Sequence, residues 1–213
     1  MIISKIVFNK SSVFKEVFSG EYALHQAVWN LFGDNPDRRR DFLYRLECLG
    51  RLPFVYTVSS RIPNDAKGLW CLESKEYAPK LDKGMKLGFS VRVNPTVKRD
   101  GKRHDVDMDA KYKARTNDSS KGVSMQELIA DSCGKWFKKR VQENGFKILQ
   151  FRADSYQQIQ FNKVRGGKPV RYSTVDITGV LEVIGQKLFD DVLFQGCGPE
   201  KGFGCGLMLV RKI

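Results

Sequence analysis

The chain has 213 residues with a formal net charge of +13, and 41% of its residues are hydrophobic. That length and apolar content suit one large core or two small ones and exclude general disorder. Apolar runs are short, and the N-terminal MIISKIVFNK lacks the parts of a signal peptide. We therefore expect a cytoplasmic protein with no membrane partner and, given its charge, a polyanionic ligand.

The first part of the chain predicts strands and helices in alternation. Residues 1–9 alternate apolar and polar side chains, as a strand does. Residues 21–32 place Leu24, Val28 and Leu31 on one stripe of a helix. The further elements predicted here are a helix over 38–49 and strands over 54–59, 68–72 and 86–94.

The second part predicts the same kinds of element after a polar stretch. Residues 98–122 are charged and rich in Ser, Asn and Asp, which predicts a linker or mobile loop. Ser124, followed three residues later by Glu127, forms a capping box and predicts a helix to about residue 143. The remaining predicted elements are strands over 146–151, 156–164, 169–183 and 207–210 and a helix over 186–194.

The order of these elements predicts an α+β fold of two tandem ferredoxin-like (RRM-like) domains with antiparallel sheets. The first domain spans 1–97 and carries the candidate catalytic helix. A linker over 98–122 follows it. The second domain spans 123–213 and carries a basic hairpin and a glycine-rich loop.

The chain has two histidines, of which His104 lies in the predicted linker and is expected to be solvated. His25 lies on the first predicted helix, where it shares one flank with Tyr22 and Trp29. An imidazole can act as acid or base when RNA is cut by its own 2′-hydroxyl, and Tyr22 could hold the phosphate or relay a proton. Trp29 adds a flat aromatic surface. A surface histidine beside two half-buried aromatic residues stays open as the alternative.

No metal or cofactor is expected. The carboxylates of Asp105, Asp107 and Asp109 alternate, but they lie among lysines in the predicted linker and are interpreted as a solvated charge run. The five cysteines are odd in number and form no CxxC, so neither a zinc site nor a disulfide framework is predicted.

Positive charge is concentrated between residues 135 and 171. This segment contains ten Lys or Arg residues and only two acidic residues. The tip of the predicted hairpin carries Lys163, Arg165, Lys168 and Arg171. Such a projecting basic hairpin can enter a groove or follow a phosphate backbone. An exposed polar hairpin tip remains the alternative.

Residues 196–206 form a segment with five glycines, called the glycine-rich loop below. Its glycines let backbone N–H groups approach a phosphate, so Lys201, Gly202 and Gly204 are candidate RNA contacts. The segment matches neither a P-loop nor a Rossmann turn. A tight turn between helix and strand explains the composition equally well.

Several segments together resemble one known family, the CasE proteins. These are the CRISPR repeat-processing endoribonucleases of subtype I-E. The resembling segments are MIISK (1–5), YALHQAVWNLF (22–32), PDRRRDFLY (36–44), FSVRVNP (89–95) and GCGPEKGFGCGL (196–207).

This resemblance implies tandem ferredoxin-like folds and metal-independent cutting of a CRISPR repeat stem-loop at its 3′ base. Such a reaction leaves a 2′,3′-cyclic or 3′ phosphate and a 5′-hydroxyl. It also implies that the protein stays on the guide RNA with the other Cascade subunits. His25 matches the family histidine, Tyr22 matches a tyrosine of some members, and the four hairpin cations fit the family's RNA contacts by type. A non-catalytic RNA-binding subunit and a protein–protein adaptor stay open as other functions.

Overall fold

The computed structural model consists mainly of two four-stranded antiparallel sheets with helices packed on them. Among the described residues, no helix is both long and apolar enough to cross a membrane. The structure describes residues 1–8, 20–33, 35, 37–49, 52–116, 124–141, 144–163 and 167–213.

The first sheet has the strand order β2–β3–β1–β4, and every neighbouring pair is antiparallel. Helix α1 follows β1 and packs on this sheet. Residues 60–69 connect β3 to β4 without a helix. The elements are β1 (Ile2–Phe8), α1 (Glu21–Asn30), β2 (Phe42–Leu49), β3 (Leu52–Ser59) and β4 (Trp70–Glu76).

Helix α1 is held by the apolar stripe that the sequence predicts. Leu24 and Val28 are buried against Ile6 of β1 and Val55 of β3. Because a helix turns about 100° per residue, burying this stripe leaves the flank of His25 outside the core.

The second sheet has the order β10–β5–β9–β8, again antiparallel throughout. A two-stranded ribbon of β6 and β7 and the helix α2 connect β5 to the helix α3. The elements are β5 (Lys86–Val93), β6 (Thr96–Arg99), β7 (Lys102–Asp105), α2 (Val106–Thr116), α3 (Met125–Val141), β8 (Phe146–Phe161), β9 (Val170–Val183), α4 (Gln186–Gln195), a 3-10 turn (Lys201–Phe203) and β10 (Met208–Lys212).

The predicted α+β fold with tandem ferredoxin-like units is confirmed. In each sheet the first strand of the unit lies in the middle beside the third, and the second and fourth strands form the edges. Side chains from both sheets meet between them, where Leu43 and Val58 pack on Leu207. The Arg45 guanidinium of β2 also donates a hydrogen bond to Ser90 of β5 at 2.9 Å.

The predicted helix over 38–49 is wrong, because residues 42–49 form strand β2. Phe42 and Tyr44 are buried under α1, whereas Leu43 is buried on the opposite face against the second sheet. A strand covered on both faces has consecutive apolar residues, here residues 42–44, and periodicity alone does not separate such a run from a helix.

Two parts of the predicted division of the chain also need correction. Strand β5, placed within the 1–97 domain, pairs with β9 and β10 and so belongs to the second sheet. The predicted linker over 98–122 contains β7, α2 and the end of β6, while residues 117–122 lie outside the described part. The rest of the division, with a boundary near residue 123, stays a prediction.

The carboxylates interpreted as a solvated run explain why α2 forms inside the predicted linker. Asp105 accepts hydrogen bonds from the backbone N–H groups of Asp107 and Met108, which caps the first turn. Asp107 itself is buried and accepts a hydrogen bond from the Ser132 hydroxyl of α3. The Asp107–Ser132 bond therefore docks α2 on α3.

Candidate active site

His25 lies half-buried on the outer flank of α1, among three aromatic rings. Its ring centroid is 4.9 Å from that of Phe203, 5.7 Å from Trp29 and 6.0 Å from Tyr22. Its Nδ1 atom is 2.5 Å from the carbonyl oxygen of Gly202. Because a carbonyl only accepts hydrogen bonds, Nδ1 carries the proton, and Nε2 is the nitrogen left for chemistry.

The Gly202 carbonyl is fixed by a second donor. The buried Tyr44 hydroxyl of β2 donates to the same oxygen at 3.0 Å. Burial raises the pKa of the Tyr44 phenol, which keeps it protonated as a donor. The glycine-rich loop is itself tied to β5, since Gly206 N–H donates to the Arg92 carbonyl and Cys197 N–H donates to Gly206.

Aromatic side chains of the second sheet complete the wall around His25. Phe161, at the end of β8, lies 5.9 Å from Tyr22 and 5.2 Å from Phe203 between ring centroids. Tyr172 of β9 stacks on Phe203 at 5.6 Å. The hairpin of β8 and β9 therefore reaches α1, and the site is built from both halves of the chain.

The surroundings of His25 favour its neutral form. Burial lowers the pKa of His25 most, the hydrogen bond to Gly202 raises it, and the positive charges of Lys163 and Arg40 lower it further. Since the ordinary value is 6.5, the neutral imidazole predominates at neutral pH. In that form Nε2 is able to accept a proton.

Four of the residues predicted from the sequence meet at His25. Tyr22 and Trp29 flank it on α1, as the helical spacing predicts, and Trp29 keeps 36% of its surface exposed. Gly202 contacts it through its carbonyl, where the sequence suggested a phosphate contact. Lys163 is close enough to influence its charge.

The other predicted cations are placed differently. The Lys201 ammonium donates to the Gln195 carbonyl at 2.6 Å. Lys168 and Arg171 are exposed on the hairpin, and the structure records no contact between them and His25 among the residues it describes. Arg165 lies outside the described residues.

Sequence reasoning missed several side chains of this site. Tyr44 and Arg40 lay within the wrongly predicted helix, and Phe161 and Phe203 gave no signal of their own. Gly204 was predicted as a phosphate contact, but it lies against Tyr44, where a Cβ would be 3.3 Å from the ring. Its φ of +79° also requires a conformation that favours glycine.

Potential metal ligands do not cluster in the described part of the chain. No group of three or more His, Cys, Asp or Glu side chains is placed there to hold an ion. His104 is exposed, as expected, but it lies on strand β7 rather than in an unstructured linker.

Comparison with known proteins assigns the chain to a family. A family described as "CRISPR associated protein" matches residues 1–212. The CRISPR system Cascade subunit CasE of Escherichia coli is 28% identical over 196 residues, which cover 90% of this chain and 92% of that protein. The chain belongs to the CasE family of CRISPR-associated proteins.

One further relative and one solved structure are also similar to this chain over nearly its whole length. The CRISPR-associated endoribonuclease Cse3 of Thermus thermophilus is 26% identical over 232 residues, covering 99% of each chain. A solved structure of CRISPR endoribonuclease Cse3 bound to a 19-nucleotide RNA superposes with a TM-score of 0.75 at 22% identity. It covers 99% of this chain and 100% of that chain, which shows that the fold is shared.

Proposed function

We propose that this protein is an endoribonuclease that cuts the stem-loop of CRISPR repeat RNA. After cutting, it stays bound as a subunit of Cascade, and the cytoplasm is its expected location. The proposal rests mainly on His25. Its Nδ1 is hydrogen-bonded to the Gly202 carbonyl, and its Nε2 is left for proton transfer. Its relatives are named a Cascade subunit and a CRISPR-associated endoribonuclease, which supports the same reaction here.

The proposed chemistry is attack by the 2′-oxygen on the adjacent phosphorus. The neutral His25 accepts the 2′-hydroxyl proton at Nε2 as the P–O2′ bond forms. The P–O5′ bond breaks, the leaving 5′-oxygen takes up a proton from water, and His25 returns its proton to the solvent. The products are a 2′,3′-cyclic phosphate and a 5′-hydroxyl, and no metal ion is required. Tyr22, stacked beside His25, orients or assists the reacting group.

RNA binding rests on the cationic hairpin and on the rings near His25. Lys163, Lys168 and Arg171 are exposed there, and Arg165 lies between them in the sequence. Their charges suit the phosphates of a folded strand. Trp29 offers a base an exposed ring for stacking. In-line attack then depends on holding the cut site over α1.

A cleavage assay with end-labelled repeat RNA in EDTA tests the proposal. We expect cutting at a single position, with a 5′-hydroxyl on one product and a cyclic phosphate on the other. An RNA with a 2′-deoxyribose at the cut site is the matched control and should stay intact.

Three results would contradict parts of the proposal. A gel shift without cleavage would indicate a non-catalytic RNA-binding subunit. Cleavage only after adding a divalent ion would overturn metal independence. Binding that is insensitive to salt would favour a protein–protein adaptor, because phosphate contacts weaken steeply with salt.

A further inference from the structure

Arg40, in the segment just before β2, lies beside His25 of α1. An ideal Cβ built on Gly202 would be 3.4 Å from Arg40 Nη1 and 3.7 Å from His25 Cε1. One atom at that position would therefore touch both groups. Since glycine has no Cβ, the space between imidazole and guanidinium stays open.

The Arg40 guanidinium is half-buried, and its nearest acidic influence, Glu200, does not form an ion pair with it in the described residues. Within the described residues it forms no hydrogen bond and no ion pair, whereas the nearby Glu200 carboxylate is bonded to Arg103 at 3.2 Å. Burial lowers the pKa of Arg40. Removing a cation from water is unfavourable unless an anion comes to it, so this arrangement favours an anionic ligand.

We propose that Arg40 is a further catalytic residue, whose guanidinium donates hydrogen bonds to the non-bridging oxygens of the scissile phosphate in the opening at Gly202. The inference rests on the proposed RNA cleavage. As the P–O2′ bond forms and the P–O5′ bond breaks, negative charge grows on these oxygens. A guanidinium beside these oxygens stabilises that charge more than it stabilises the bound substrate.

Single-turnover cleavage by Arg40→Ala tests this role against Arg39→Ala. Arg39 is the neighbouring cation, is exposed, and loses the same charge. We expect about 100-fold slower cleavage by Arg40→Ala. Its Kd for the RNA should change no more than that of Arg39→Ala, which should cut at the wild-type rate. Arg40→Lys should be intermediate, since ammonium lacks the planar pair of donors.

A phosphorothioate at the cut site gives a readout that a structural role would not move. The wild type should cut one sulfur stereoisomer more slowly than the other, because sulfur accepts hydrogen bonds poorly. Arg40→Ala should lose most of this preference. Gly202→Ala should also slow cleavage by filling the opening, with an unchanged melting temperature.

The outcomes separate this inference from the proposed function. If the wild type cuts and Arg40→Ala cuts as fast as Arg39→Ala, the role of Arg40 is overturned and the proposed function stands. If the wild type does not cut, both are overturned. If Arg40→Ala fails to fold, Arg40→Lys and Gly202→Ala decide, and wild-type rates with an unchanged stereoisomer preference would overturn the inference.

Discussion

At the residue scale, the imidazole of His25 is oriented by a carbonyl 177 positions away in the chain. The sequence predicts the flank of Tyr22, His25 and Trp29 because helical periodicity is local. It does not predict that Gly202 orients His25, since that contact depends on how a distant loop packs. Tyr44 was not predicted as part of the site, because residues 38–49 were wrongly predicted as a helix. Its contact with Gly202 also depends on a distant loop.

If His25 is the base, the charge next to it should set the pH dependence of cleavage. If the neutral imidazole is the base, the rate falls as pH decreases through its pKa, which lies below 6.5. Lys163→Ala removes a positive charge that lowers this pKa, so the pKa should rise. The decrease in rate on the acid side of the profile, called the acid limb here, should then move to higher pH. Single-turnover rates at low ionic strength measure the shift.

Lys83→Ala is the control for this profile, because Lys83 is exposed in the turn before β5. It should leave the acid limb in place. An acid limb that stays unmoved in Lys163→Ala, or moves to lower pH, would argue against the neutral base.

Tyr44→Phe tests the second hydrogen bond to the Gly202 carbonyl. Losing this buried donor should lower the free energy of unfolding by about 1 kcal/mol. Cleavage should also slow at unchanged RNA affinity, because His25 loses a fixed partner. Denaturant unfolding and single-turnover rates measure both effects, with the exposed Tyr112→Phe as control. A wild-type rate in a destabilised Tyr44→Phe would show that the loop keeps its position without this bond.

At the element scale, local signals were reliable where the structure depends on neighbours in sequence. The capping box is confirmed: Ser124 and Glu127 exchange hydrogen bonds at the start of α3. The helix α2 was missed in the predicted linker over 98–122, because the carboxylates of this segment were interpreted as solvated. Burial of Asp107 against Ser132 depends on the docking of two helices, which composition does not reveal.

Asp107 makes the attachment of α2 depend on pH. Burial raises the pKa of Asp107 from 3.8 to about 6, with the Ser132 hydrogen bond opposing and Asp105 adding to the rise. The folded chain therefore binds this proton more tightly than the unfolded chain. Its contribution to stability is present at low pH and is lost as pH rises from about 4 to about 6.

Asp107→Asn should therefore be more stable than the wild type near pH 7.5, by about 1–2 kcal/mol. Near pH 4.5 the advantage should shrink or vanish. Denaturant unfolding of both proteins at the two pH values measures the difference. A variant that is less stable at both values would indicate that Asp107 is needed as a charged group.

At the scale of the whole molecule, two sheets meet so that α1 and β2 of one half face the loop and hairpin of the other. The order of elements predicted the tandem units, and the resemblance to CasE supported them. The pairing of β5 with the second sheet was missed because the alternation of a strand does not say which neighbour it joins. The site follows from this long-range assembly.

Whole-molecule charge should appear in the salt dependence of RNA binding. Exposed Lys168, near the tip of the hairpin, should contact one phosphate, so Lys168→Ala should reduce the slope of log K against log salt by about one. Lys83→Ala should not change the slope, because Lys83 lies near the other end of β9, where Gly84 N–H bonds the Val183 carbonyl. Equal slopes for both variants would remove the hairpin from the RNA contact.

The proposed cleavage depends on the imidazole of His25, which performs proton transfer on bound RNA. The most direct measurement compares His25→Ala with His104→Ala, the exposed second histidine, in cleavage and binding of the same repeat RNA. We predict that His25→Ala cuts at least about 100-fold more slowly with nearly unchanged affinity, while His104→Ala behaves as wild type. Wild-type cutting by His25→Ala, or a loss explained entirely by weaker binding, would contradict the account.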